Sequence, residues 1–364
     1  MSTRIETDVR SPAVTTPLAA SPALRTTRRL PRWAPLAVLA AAAALVAAVL
    51  AAVGFGVGRF LVGTAVVFTL ALYTLSRVVE GARKATDRLA TVVVTGAFLV
   101  ALIPLVSVVW TVVENGLRRF DLEFFTYSMR GIVGAGGGAY HAILGTLIIT
   151  GLAAVMSIPV GVLTAIYLVE YGTGRLARTI TFFVDVMTGI PSIVAGLFAY
   201  ALFALFLGPG VRFGIAGAVA LSVLMIPVVV RVTEEMLQVV PNEVREAAYA
   251  LGVPKWRTIV KVVIPTAAAG IASGVTLAIA RVIGETAPLL ITVGITTRVN
   301  LNPFDGRMAT LPVFSYYSYV APGVPRDPYL DRAWTAALVL ILLVMVLNVL
   351  ARLIARRFAP QGRR

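Results

Sequence analysis

Long apolar runs alternate with short polar ones along almost the whole chain. The runs cover about Pro35 to Val53, Phe60 to Val79, Leu89 to Val113, His141 to Val169, Ile180 to Leu207, Phe213 to Val232, Thr266 to Ile295 and Ala333 to Leu353. A helix crosses a hydrocarbon core of about 30 Å with roughly 20 apolar residues. The pattern therefore predicts eight membrane-spanning helices. The first run has the look of a signal-peptide core, but the polar tail before it is long and a second run follows at once, so a retained span is expected. Residues 1–32, rich in Ser, Thr, Pro and Arg, are expected to form a disordered basic tail. A second basic tail closes the chain at 358–364.

Composition and charge add orientation to this picture. Only 13% of the residues are charged, against about 25% in soluble domains, which excludes an ordinary soluble protein. A net charge of +15 would suggest nucleic acid in a soluble chain. Here the basic residues lie in loops. The two tails and the loops on their side of an eight-span path hold 22 Lys and Arg, the other loops hold 9, and Arg281 lies inside a span. That asymmetry predicts a multi-pass protein of the cytoplasmic membrane with both termini and the 231–261 segment in the cytoplasm. There are no cysteines, so disulfides and thiolate chemistry are excluded. His141 is the only histidine, which argues against a histidine metal site. No Walker A loop, nucleophile elbow or zinc motif is present, so no enzymatic activity, bound cofactor or metal is expected of this chain.

One polar island stands out, EAAYALGVPKWRTIVKVVIP at 246–265. Val244, Ala247, Ala248 and Leu251 recur at i, i+3, i+4 and i+7, one face of a helix. Glu243 and Glu246 lie near its start, where the helix dipole favours carboxylates. Gly252 suits a C-terminal turn, and Pro254 suits the first position of a second short helix that carries Lys255, Trp256, Arg257 and Lys261. Pro265 marks entry into the next span. The spacing predicts a helix–turn–helix. Two readings fit it: an amphipathic loop held to lipid by Trp256 and its basic neighbours, or a docking surface for a protein partner.

The pattern EAA, three residues, Gly, nine residues, then an apolar run ending in Pro resembles the signature loop of ABC importer permeases. It is carried here by Glu246, Ala247, Ala248, Gly252 and the run Val262-Val263-Ile264-Pro265, with Val in place of the usual Ile and Ile in place of the usual Leu. In that family the loop docks on a cytoplasmic ATPase. The resemblance therefore implies an ATPase contact at Glu246, Ala247, Ala248, Gly252 and Pro254.

The seventh run contains ARVIGETAPLL, with Arg281 and Glu285. At 1.5 Å per residue, Arg281 lies about 22 Å along a helix begun at Thr266, past the middle of the bilayer. A charge there costs roughly 2.5–3.5 kcal/mol. In a continuous helix the i, i+4 spacing puts both side chains on one face. They are then either a neutralised pair that holds helices together, or Arg281 faces a pathway and attracts an anion. The run Gly284-Glu285-Thr286-Ala287-Pro288 resembles the phosphate-importer permeases in particular, as do TGIPSIVAGLF at 188–198 and the segment from His141 to Thr146 behind the Gly-Ala-Gly-Gly-Gly cluster at 134–138. By that resemblance Arg281 and Glu285 serve phosphate passage.

Other signals are weaker. Gly189-Ile190-Pro191 predicts a kink with close helix approach, and Ser192 is a candidate pathway-lining residue. Asp185 reads as an interfacial or helix-packing residue. The glycine cluster reads as a flexible outer loop, with an anion cradle of backbone amides as the alternative. His141 is expected at the membrane interface. Tyr316, Tyr317 and Tyr319 read as an aromatic belt.

The resemblance, covering roughly 89–364, implies an all-α integral membrane protein: a six-helix type I ABC importer permease core over 89–357, its coupling loop at 233–265, and two extra helices over 33–88. It implies a second, related permease, two copies of a cytoplasmic ATPase that uses ATP and Mg, and an extracytoplasmic phosphate-binding protein. A permease for sulfate or molybdate and a non-transporting membrane anchor or sensor remain as alternatives.

Overall fold

The computed structural model describes residues 30–358. The two predicted basic tails thus lie almost wholly outside the described residues. Every regular element among the described residues is helical. Seven helices are long and apolar enough to cross a membrane, and a bent pair makes an eighth if it counts as one span. The chain divides into two compact units, Met1–Val106 and Ser107–Arg364.

The first unit contains α1 (Ala34–Val53), α2 (Val57–Val79) and most of α3 (Ala82–Gly116). α1 and α2 form a hairpin that turns at Gly54, whose φ of 108° suits glycine. Gly63 lets them approach, since a methyl group there would sit 3.0 Å from Val46. Glu80 ties up the far end of the hairpin. Its carboxylate accepts from Arg88 Nε (2.8 Å) and Nη2 (3.1 Å), from the Leu30 amide (2.9 Å) and from Ser76 Oγ (2.9 Å). The division between the units falls inside α3, whose apolar stretch has none of its residues buried.

The second unit holds α4 (Leu122–Thr126), α5 (Tyr140–Ile166), α6 (Gly174–Thr188), α7 (Ser192–Leu207), α8 (Gly214–Gln238), α9 (Asn242–Ala250), α10 (Lys255–Thr258), α11 (Ile264–Val282), α12 (Ala287–Thr292), α13 (Leu311–Val320) and α14 (Asp327–Phe358). α5 and α8 form its spine. Small residues let their backbones meet: a methyl on Gly161 would lie 2.6 Å from Val229, and Ser222 Oγ reaches the Ala153 carbonyl at 3.4 Å. Lipid supplies no hydrophobic force between helices, so such close packing is what holds them. Ile149, Leu221, Met225, Ala278 and Leu289 fill the core between α5, α8, α11 and α12.

Two predicted spans are not continuous helices. The fifth breaks at Gly189-Ile190-Pro191 into α6 and α7, bent by 109°. Proline removes a backbone donor and drives the preceding residue out of the helical region, so the break is far sharper than a kink. The seventh unwinds after Val282 and resumes only as the six-residue α12. Pro288 sits in the first turn of α12, where the missing donor costs nothing. A third difference concerns Pro265, which does not separate loop from span. From Lys255 the helical path runs through a π-helical turn, Ile259–Val263, straight into α11. The wider turn re-routes the hydrogen bonding just ahead of the proline. Finally, the predicted 296–332 loop contains α13 and the start of α14.

Candidate functional site

The two helix breaks face each other across α8. Between them lies a cavity of about 190 Å³ lined by Met187, Thr188, Ile190 and Ser192 of the first break, Leu224, Pro227 and Val228 of α8, and Arg281 and Glu285 of the second. Three positions singled out in the sequence for separate reasons, Ser192, Arg281 and Glu285, thus share one space. Arg281 is exposed to it and Glu285 half-exposed.

The pair does not behave as its spacing predicts. Glu285 falls in the unwound segment, so the two side chains are not stacked on one helical face. Among the described residues no ion pair joins them, and Arg281 has no carboxylate within 4.0 Å. The guanidinium keeps its donors for something else. A guanidinium presents a planar fork that matches the oxygens of a tetrahedral oxyanion. The opposite wall adds polarity: α7 begins at Ser192, so the positive end of a 16-residue helix opens on the cavity. Thr188 is less available, because its hydroxyl donates to the Val184 carbonyl at 2.9 Å. One carboxylate, one guanidinium and a helix N-terminus around a small cavity have the chemistry to hold an anion without trapping it.

A second charged cluster lies about one turn further along α8. Arg231 donates to Glu234 Oε2 at 2.8 Å and to Asp185 of α6. Asp185 is therefore a partner in an inter-helix ion pair. Arg231, counted in the sequence as a loop residue, lies inside α8, which runs on to Gln238. Its position in an apolar helix was a signal that a partner should be sought.

At the end of the unit that carries α9 and α10, the polar island forms two short helices. Gly252 between them takes φ of 74°, which a side chain would resist. Glu246, Ala247, Gly252 and Pro254 are exposed, with Leu251 (83%) and Trp256 (58%) presenting bare apolar surface. Ala248 differs: it is buried against its own chain. Arg245 turns inward to Glu170 at 3.0 Å, a contact that no spacing in the sequence announces.

At the other end of α5, the glycine cluster is tethered through its carbonyls. Arg332 Nη1 donates to Gly134 O (2.7 Å) and Gly136 O (2.8 Å), and Arg119 Nη2 to Gly137 O (2.7 Å). Two of its amides also donate, that of Gly137 to Glu123 Oε1 at 2.7 Å and that of Gly134 to the Tyr329 hydroxyl at 3.5 Å. The segment expected as a flexible outer loop is thus tied by side-chain hydrogen bonds to α14, α4 and Arg119. His141, the second residue of α5, is buried, edge-on to Phe314 at 5.4 Å. Tyr316 and Tyr319 are exposed on α13.

Comparison with known proteins agrees with this architecture. The profile described as "Binding-protein-dependent transport system inner membrane component" matches residues 157–364. "Phosphate transport system permease protein PstA 1" of Mycobacterium tuberculosis (strain CDC 1551 / Oshkosh) is 48% identical over 285 residues, covering 78% of this chain and 92% of that protein. "Phosphate transport system permease protein PstA" of Mycobacterium leprae (strain TN) is 48% identical over 271 residues, 73% of this chain and 87% of that one. The namesake from Pasteurella multocida (strain Pm70) is 38% identical over 257 residues, 70% and 87% of the two chains. Among solved structures, an inward-facing MetNI methionine ABC transporter aligns at a TM-score of 0.47 and 21% identity, covering 61% of this chain and 95% of that one. With a multi-pass helical core, and with relatives this similar over most of their length, the chain belongs to the family of binding-protein-dependent transport system inner membrane components.

Proposed function

We propose that this chain is a permease subunit of an ATP-driven importer and that its cargo is inorganic phosphate. The observation that carries the reading is the convergence of Arg281, Glu285 and Ser192 on one cavity at two helix breaks. The relatives' names supply the cargo. Phosphate near neutral pH bears one or two negative charges, and the Arg281 fork suits its oxygens. Glu285 shares the cavity and limits how tightly the anion is held, since a pathway must also release its cargo.

The chain lies in the cytoplasmic membrane with both termini and the α9–α10 end in the cytoplasm, in keeping with the Lys and Arg asymmetry of its loops. The exposed face of Glu246, Ala247, Gly252 and Pro254 receives one of two ATPase subunits. A related permease completes the membrane part, and an external phosphate-binding protein delivers cargo. ATP and Mg are used by the ATPase, and none is bound by this chain. ATP binding there moves α9 and α10, and the motion switches the cavity between outward and inward access.

The test is reconstitution of the chain with these partners in proteoliposomes. ATP-dependent phosphate uptake, stimulated by phosphate-loaded binding protein, is expected. Displacement of uptake by sulfate but not by unlabelled phosphate would reassign the cargo. A stable complex with no anion flux would make the chain an anchor or sensor.

A further inference from the structure

Arg245 precedes Glu246, yet the two side chains face opposite ways. Glu246 is exposed on the docking face. Arg245 reaches inward, and each of its three nitrogens donates. Nε and Nη2 bond Glu170 Oε1 at 3.1 and 3.0 Å, Nη2 also bonds Leu237 O at 2.9 Å, and Nη1 bonds Val240 O at 2.5 Å. Leu237 lies in the last turn of α8, and Val240 lies two residues beyond its end. Carbonyls at a helix end lack partners within the helix and favour a cation. Glu170 lies in the π-helical turn Tyr167–Tyr171 that ends α5. One guanidinium therefore joins α9 to the ends of both spine helices. Lys255 of α10 adds a second tie. It donates to the Glu170 carbonyl and lies 4.7 Å from the centre of the Tyr171 ring.

The Glu170 and Arg245 side chains are 4% and 12% exposed. Removing one member of a buried pair strands the other charge, so the contact cannot slip at small cost. Apolar packing of equal volume would hold the loop in place as well or better, so stability alone does not account for an ionic joint at this point. The joint also leads somewhere. α5 and α8 are interlocked at Gly161 and Val229, and α8 carries Leu224, Pro227 and Val228 on the cavity wall.

We infer that the Glu170–Arg245 pair is the strut that transmits movement of the docking helix into the spine, and that it sets how much phosphate moves per ATP hydrolysed. The inference rests on the permease reading. Glu170 and Arg245 are positioning residues, acting on the cavity through α5 and α8.

The test compares wild type with Glu170→Gln, Arg245→Gln and Arg245→Lys in the reconstituted complex, measuring phosphate uptake and ATP hydrolysis on the same samples. The expected result for the Gln variants, in complexes of normal subunit composition, is sustained ATP hydrolysis with phosphate moved per ATP reduced about tenfold. An unchanged ratio, or uptake and hydrolysis falling in the same proportion, overturns the inference. Should the Gln variants fail to assemble, Arg245→Lys decides by the same ratio, since it keeps the charge and loses the three-way fork. Failure of all three to assemble also overturns it, because the pair then serves folding. The wild-type control separates the two claims: if wild type itself moves no phosphate, the permease reading has failed and the inference falls with it, whereas a working wild type with an unchanged ratio in the variants overturns the strut alone.

Discussion

Arg281 and Glu285 line the same cavity without forming an ion pair. In one continuous helix they would share a face, and the charge of each would be offset by its neighbour. Unwinding after Val282 separates them and leaves the guanidinium available. The helix break therefore leaves a guanidinium and a carboxylate apart on the cavity wall instead of a charge-neutral pair. The two residues should then fail differently.

Arg281→Ala should lower phosphate uptake about tenfold or more, the cost of losing a charge-assisted hydrogen bond of roughly 1.5–3 kcal/mol, with the complex still assembled. Glu285→Gln removes a repulsion between carboxylate and cargo, so half-saturation should fall to lower phosphate and the maximal rate should fall with it. Uptake assays over a range of phosphate concentrations separate the two. Wild-type uptake by Arg281→Ala would remove that residue from the pathway.

Asp185→Asn should loosen α6 from α8, because Arg231 keeps only Glu234 as a charged partner. Asp185 is well exposed, so the pair is worth about 1 kcal/mol or less. The chain has no cysteines, so Met187→Cys beside the cavity gives a single reporter. Thiol labelling there should quicken severalfold in the Asp185→Asn background, and no change would make the pair inert.

Gly196→Ala should destabilise the second unit by about 1–3 kcal/mol, as overpacking does. Its new methyl would sit 2.5 Å from the Pro288 Cα and 3.1 Å from the Pro288 carbonyl oxygen, both backbone atoms, so α7 and α12 must part. Gly151→Ala is the control. It lies within α5 with nothing within 4 Å, so relief of glycine's helix penalty should stabilise by up to about 1 kcal/mol. Thermal melts of the purified protein should move in opposite directions.

Glu80 predicts an acid response in the first unit. Burial on its own would raise its carboxyl, but hydrogen bonds from Arg88, the Leu30 amide and Ser76, with the Arg88 charge, outweigh it and hold the value down from 4.5 to about 2. A depressed acid favours the folded state wherever it is ionised. The stabilisation is thus complete above pH 4.5 and lost as pH falls towards 2. Protection of the Leu30 amide, measured against its intrinsic exchange rate at each pH, should hold down to about pH 4.5 and fall below it. Glu80→Gln should exchange quickly at every pH.

Much of this protein is legible in its residues. Hydropathy gave most of the spans, because a bilayer core demands about 20 apolar residues whatever surrounds them. The turn at Gly252 and the start of α10 after Pro254 follow from local backbone chemistry. The sequence also offered Arg281, Glu285 and Ser192 as candidates, since charges and prolines in apolar runs need a reason. It failed wherever two distant segments answer each other. Nothing near Glu170 names Arg245, 75 residues on. Nothing near Asp185 names Arg231, and the glycine cluster reads as flexible until Arg332 is seen to hold it.

What the sequence determined alone was therefore a helical membrane protein with a polar helix–turn–helix and a few costly charges, because length, hydropathy and turn chemistry are local quantities. Only the tertiary structure decided that two spans are broken, that the breaks face one cavity and that Arg281 has no carboxylate partner in it among the described residues. Those outcomes depend on which helix packs against which. A proline permits a break, but its angle, and the company of an exposed guanidinium, are set by neighbours far away along the chain.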